Sequence, residues 1–184
     1  MHSGLFQGMV LPESAGTGEM PYLFLDTEWA DEEGDELVSL ALISADGLSS
    51  FYAERCHLPS MPSEFARPVV YPLLAGGSYA LTDLELEVRL REFLSYFRDP
   101  FVLFDFPNDG RLFKRAWGTY GTFESDSTVS PSLTLMIREG KFSEYFEGFF
   151  RDDPVARARR HHALVDAMAL RAAWLRVTGR TEMI

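Results

Sequence analysis

Cysteine is all but missing from this chain: of 184 residues, only Cys56 is one. An internal disulfide framework is therefore excluded, a reducing compartment such as the cytoplasm is expected, and Cys56 reads as a small packed residue. Long apolar runs are missing too, since none approaches the ~20 residues a helix needs to cross a bilayer. The first twenty residues carry neither a basic start nor an apolar stretch, so no secretory signal is expected. Positive charge is scarce, with 17 Lys and Arg against 28 Asp and Glu and a formal net charge of −11. That balance argues against broad adhesion to nucleic acid or to an anionic membrane, and leaves room only for a local basic site. Internal repeats and low-complexity tracts are absent as well.

What is present is material for one core. A hydrophobic content of 46% and an aromatic content of 14% over this length suit a single domain. Residues 1–20, rich in small and polar side chains, read as a flexible tail, and residues 21–184 as the folded domain.

Tyr22–Leu25 has the aromatic and branched composition of a buried strand, and Leu37–Ile43 reads as a second one beyond the charged turn ADEEGDE. After the turn at Ala45–Gly47, LSSFYAE forms a third, giving a three-stranded meander. Prolines at 59, 62, 68 and 72 then exclude a long regular element. Thr82 and Glu85 form a capping box ahead of Leu86, Leu90, Phe93, Leu94 and Phe97, which predicts a helix over 82–97. Phe101–Phe106 is a fourth strand cut by Pro107, Asp109 opens a helix through Leu112, Phe113 and Ala116, and Leu133–Ile137 is a fifth strand. Phe142, Tyr145, Phe146, Phe149 and Phe150 recur at helical spacing, as a core face or a dimer contact. An Ala- and Leu-rich helix follows the basic run ARARR and ends near Gly179. The order implies an α/β fold, a mixed sheet with helices on its faces.

Acids sit at odd places in this pattern. Asp26 and Glu28 alternate along the first strand and so point the same way, where like charges repel unless a cation lies between them. Asp109 follows the fourth strand, and Asp166 lies among Leu164, Val165, Ala167, Met168 and Leu170, where a buried carboxylate needs a metal or a charged partner. Each alone could equally be a strand-end cap or an exposed helix position.

Taken together, a strand with Asp-x-Glu, a later Asp109 followed by Leu112 and Phe113, and a last helix reading HHALVDA (His161–Ala167) resemble the three motifs of the DEDD exonuclease superfamily. The histidine places the resemblance in the DEDDh branch, near its small stand-alone bacterial 3'-5' exoribonucleases. The resemblance implies an RNase H-like fold with a central mixed five-stranded sheet. It also implies two divalent ions, Mg2+ or Mn2+, with Asp26 bridging both, Glu28 and Asp166 on the nucleophile-side ion, and Asp109 acting through water. Two such ions, roughly 3.5–4 Å apart, activate water and neutralise the leaving oxygen, with a histidine as general base. The expected reaction is hydrolysis of single-stranded RNA or DNA from the 3' end to nucleoside 5'-monophosphates.

Two registers are ambiguous from the residues. On an uninterrupted helix His162, four before Asp166, shares its face, whereas the family's spacing points to His161 on the loop that enters the helix. His161 is taken as the base and His162 as its solvent-facing neighbour. FDFPNDG offers two acids; strand alternation and the following Leu112-Phe113 favour Asp109, leaving Asp105 in a supporting or capping position. Arg157, Arg159 and Arg160 could attract substrate phosphates or form surface ion pairs, and Trp29 could stack on a terminal base or pack in the core. Related exonucleases often dimerise, and the aromatic stripe at Phe142–Phe150 offers a surface for a homodimer.

Overall fold

A computed structural model describes residues 9–10, 21–118 and 131–180. Its strands are β1 (Met9–Val10), β2 (Tyr22–Trp29), β3 (Leu37–Ser44), β4 (Ser50–Arg55), β5 (Ala80–Leu81), β6 (Phe101–Phe104) and β7 (Ser132–Leu135). Its helices are α1 (Asp83–Ser95), α2 (Pro107–Gly118), α3 (Gly140–Asp152), α4 (Pro154–Ala158) and α5 (Ala163–Thr178). The strands form one mixed sheet in the order β1-β4-β3-β2-β6-β7, with β5 also on β4.

The expected meander is present: β2, β3 and β4 pair antiparallel in sequence, while β6 joins β2 in parallel and β7 joins β6 in parallel. Five strands are expected, and the sheet has seven among the described residues. Both additions are two-residue strands on the outer edge of β4, β1 against Ser50 and Phe51 and β5 against Glu54 and Arg55. Elements this short carry no periodic signal, and their pairing is long-range. β1 also lies inside the stretch expected to be a flexible tail; the rest of residues 1–20 falls outside the described residues.

Alternation along β2 divides the core. Leu23 and Leu25 face α1 and α2, packing with Leu86, Leu90, Phe93, Leu112 and Phe113. Phe24 faces α5 and α3, packing with Phe146, Phe150, Ala163, Ala167 and Leu170. The alanines of α5 give it a thin face that seats close on the sheet. Helix α1 begins as expected, with the Thr82 hydroxyl accepting from Glu85 N–H and the Glu85 carboxylate accepting from Thr82 N–H. Helix α5 ends at Gly179, whose φ of 73° is the left-handed conformation glycine adopts freely. The aromatic stripe of α3 is core: Phe142, Phe146 and Phe150 are buried against the chain's own sheet and α5. Cys56, expected to be packed, is exposed, with its sulfur 3.0 Å from His57 Nδ1. No helix among the described residues is long and apolar enough to cross a membrane.

Parallel strands leave their carboxyl ends on one edge, and open sheets carry their ligand sites there. Asp26 and Glu28 lie toward the carboxyl end of β2, Asp105 directly follows β6, and Arg138 lies three residues beyond β7.

Candidate metal-binding site

Asp26 and Glu28 continue the face of β2 that carries Phe24, and therefore point toward α5. The β2–β3 register shifts between Glu28 and Trp29, a bulge that re-aims the strand just past the second acid. Two clusters of possible ligands result. Glu28, His161 and Asp166 form one and Asp26, Asp105 and Asp109 the other, each with one ligand atom per residue and those atoms within 4.8 Å of one another.

Asp109 is held rigidly in the first turn of α2. Its Oδ1 accepts from Thr27 N–H at 3.2 Å and from the Thr27 hydroxyl at 2.7 Å, and its Oδ2 accepts from Phe106 N–H at 3.2 Å. The next residue, Gly110, lets α2 lie against Phe104, because a Cβ there would stand 2.5 Å from the ring. Asp166 sits in the first turn of α5 and accepts from the backbone N–H of His161, at 3.2 Å to Oδ1 and 3.3 Å to Oδ2.

The two histidines part sharply. His161 has φ 72°, a left-handed turn that ends the run before α5 and swings its ring toward Glu28 and Asp166, against the edge of Phe65 at 5.0 Å. His162 caps α5 and is buried, with its ring stacked on Tyr52 at 4.5 Å. The expectation of a solvent-facing His162 is thus corrected: α5 begins at Ala163, so the helical spacing that would align His162 with Asp166 does not apply.

Burial and mutual repulsion raise the acids. Burial pushes Asp26 well above the ordinary aspartate range, with Asp109, Asp166, Glu28 and Asp105 adding to it. Glu28 is pushed to about 9, first by burial and then by Asp166 and Asp109. Burial lifts Asp109 to about 7 against the pull of the Thr27 hydroxyl, and Asp166 to about 7 against the His161 N–H and Arg160. Burial lowers His161 below its usual value, and Arg160 adds to that. Asp26 Oδ2 is buried and makes no hydrogen bond, so this oxygen lacks the partner a buried acceptor requires. An orphaned oxygen among converging carboxylates fits a hard divalent cation, which prefers oxygen donors. The acidic clusters could hold a metal ion.

The expected substrate contacts fare unevenly. Trp29 is half-buried, packed against the core and stacked on Phe106 with centroids 5.6 Å apart. Arg157 and Arg159 are exposed, and Arg160 is tied to Glu147 of α3. Two residues next to the acids went unselected in the sequence: Asp105, which joins Asp26 and Asp109, and Arg138, which donates to Asp105 at 3.0 Å. FDFPNDG signalled Asp105, but Arg138 lies in a loop without any pattern. No protein-family model matches the chain, and no curated protein does.

Proposed function

We propose that the protein is a metal-dependent 3'-5' exonuclease of the DEDDh type, with an RNase H-like fold, acting on single-stranded nucleic acid and on RNA in particular. The observation that carries this reading is the convergence of Asp26, Glu28, Asp109 and Asp166, from three elements, beside His161. Mg2+ or Mn2+ is the natural guest for such a donor set, with Asp26, Glu28, Asp109 and Asp166 as ligands. When bound, a pair of such ions supplies an activated water and neutralises charge on the leaving oxygen.

The chain's own groups do the rest. His161, lowered below its usual value, is neutral near pH 7 and can accept a proton at a ring nitrogen from water attacking phosphorus. The His161–Asp166 backbone contact fixes the ring's approach, and Thr27 fixes Asp109. Attack breaks the bond between phosphorus and the 3' oxygen, leaving a shortened strand with a 3'-hydroxyl and a nucleoside 5'-monophosphate. Arg157, Arg159 and Arg160 lie ahead of the base in sequence and favour approach of phosphates, and Trp29 with the exposed Phe106 offers an aromatic stack for a terminal base.

The test is a time course with 5'-labelled single-stranded RNA and DNA of one sequence, in Mn2+ and in EDTA, with Asp26→Ala as the contamination control. A metal-dependent ladder that shortens from the 3' end and vanishes in the variant is expected. Mononucleotide binding without a ladder would instead make the protein a nucleotide-binding module.

A further inference from the structure

On its α3 side the carboxylate site is bordered by two guanidiniums that share one acid. Arg160, directly before His161, donates from both terminal nitrogens to Glu147 at 2.8 and 2.9 Å. Arg138, between β7 and α3, donates one terminal nitrogen to Asp105 at 3.0 Å, while the other stands 3.9 Å from the same Glu147, beyond hydrogen-bond reach. Each guanidinium also rests on a ring of α3, Arg138 at 4.2 Å from the Phe146 centroid and Arg160 at 4.9 Å from that of Phe150. Phe146 and Phe150 are one helical turn apart, so a single face of α3 presents both cations.

The placement suits a ligand better than a brace. An ion pair as exposed as Arg160–Glu147 adds little stability, and although Asp105 is largely covered, the two arginine side chains remain 37% and 35% exposed. They are also the positive charges that act on Asp166. In a chain of net charge −11, a polyanion approaching clustered carboxylates needs fixed positive charge beside them. Planar guanidiniums bind phosphate through paired N–H groups, as they bind carboxylate, so Glu147 occupies the fork that a phosphate would use.

We propose that Arg138 and Arg160 form a two-guanidinium clamp for a substrate phosphate, the phosphodiester next to the one hydrolysed, with Glu147 holding Arg160 and Asp105 holding Arg138 until that phosphate takes them over. The identity of this phosphate rests on the exonuclease reading; the phosphate-binding chemistry does not.

The experiment is fluorescence anisotropy with a short 5'-labelled single-stranded RNA in Ca2+ at several salt concentrations, for the wild type, Arg138→Gln, Arg160→Gln and Glu147→Gln. Each arginine variant is expected to raise Kd about tenfold and to flatten the log Kd against log salt slope by about 0.7, the share of one single-strand phosphate contact. Glu147→Gln is expected to bind as tightly as the wild type or more tightly, because it releases Arg160 and removes a negative charge beside Arg138. A purely structural network predicts the reverse, so wild-type binding by the arginine variants, or weakened binding by Glu147→Gln, overturns the clamp, as does a wild type that binds no strand. If an arginine variant unfolds, the lysine substitution at the same position, Arg138→Lys or Arg160→Lys, replaces it, with a partial loss of affinity expected from loss of the fork. Loss of affinity in the arginine variants with no ladder from the wild type in Mn2+ would leave the clamp standing and remove the exonuclease reading.

Discussion

The backbone N–H of His161 donates to both carboxylate oxygens of Asp166, from a residue whose φ is 72°. A histidine in the left-handed region is uncommon, and it persists here because the Asp166 carboxylate and the start of α5 hold it. The turn separates two adjacent imidazoles by function: one meets the acids, the other is built into the core.

Replacing the two histidines separates those roles. His161→Gln is expected to lower turnover by about 10²- to 10⁴-fold, the usual share of a general base, while keeping the Mn2+-dependent rise in melting temperature. His162→Ala should instead lose about 2–4 kcal/mol of stability through a cavity beneath Tyr52. Urea denaturation and single-turnover rates on both variants check this, and a larger loss of turnover in a still-folded His162→Ala would reverse the assignment.

Thr27 holds Asp109 through its hydroxyl and its backbone N–H. Thr27→Val keeps the shape and removes the hydroxyl donor, so metal affinity should fall about 10- to 100-fold, as it does when groups behind a ligand are lost. Titration of Mn2+ against melting temperature measures this, and an unchanged midpoint would count against Asp109 as a ligand.

Acidity gives a test with a definite sign. In the metal-free fold Glu28 is raised to about 9 and Asp109 and Asp166 to about 7, from ordinary values of 4.5, 3.8 and 3.8. The folded chain therefore keeps protons that the unfolded chain has released. That stability is fully present below about pH 4 and lost as pH rises toward 9. In EDTA the melting temperature should fall between about pH 5 and pH 8.5, and saturating Mn2+ should remove most of the fall. A metal-free melting temperature that climbs over this range would contradict the clustering of the acids.

Gly110 is a packing requirement. A Cβ there would meet the Phe104 ring at 2.5 Å, so Gly110→Ala should cost about 1–3 kcal/mol as α2 is pushed off the sheet. Since α2 carries Asp109, metal affinity should fall with it; calorimetric unfolding with and without Mn2+ reads both.

Much of the site was legible because its acids sit where periodicity made them conspicuous. Asp26 and Glu28 end a strand of plain alternation, and Asp166 interrupts the otherwise apolar first half of its helix. His161 was legible only through the spacing of a resembled family, since helical geometry favours its neighbour. The membership of Asp105 depends on how parallel β2 and β6 are set side by side, a register written across some eighty residues rather than in any window. Arg138 was invisible for the same reason, being an arginine in a loop until α3 supplies Phe146 and Glu147. The burial of His162 follows from where α5 starts, and helix starts are the least readable feature of a sequence.

The acids that meet at this edge come from opposite ends of the chain, Asp26 and Glu28 on β2 and Asp166 on α5. Until α5 docks, the β2 carboxylates remain hydrated and their repulsion is small. Part of the electrostatic cost of the site therefore falls on the docking of α5 over the sheet, and part on the approach of Asp109 with α2. A divalent ion held between these acids would act as a latch between α5 and the sheet, and unfolding should be slower in Mn2+ than in EDTA.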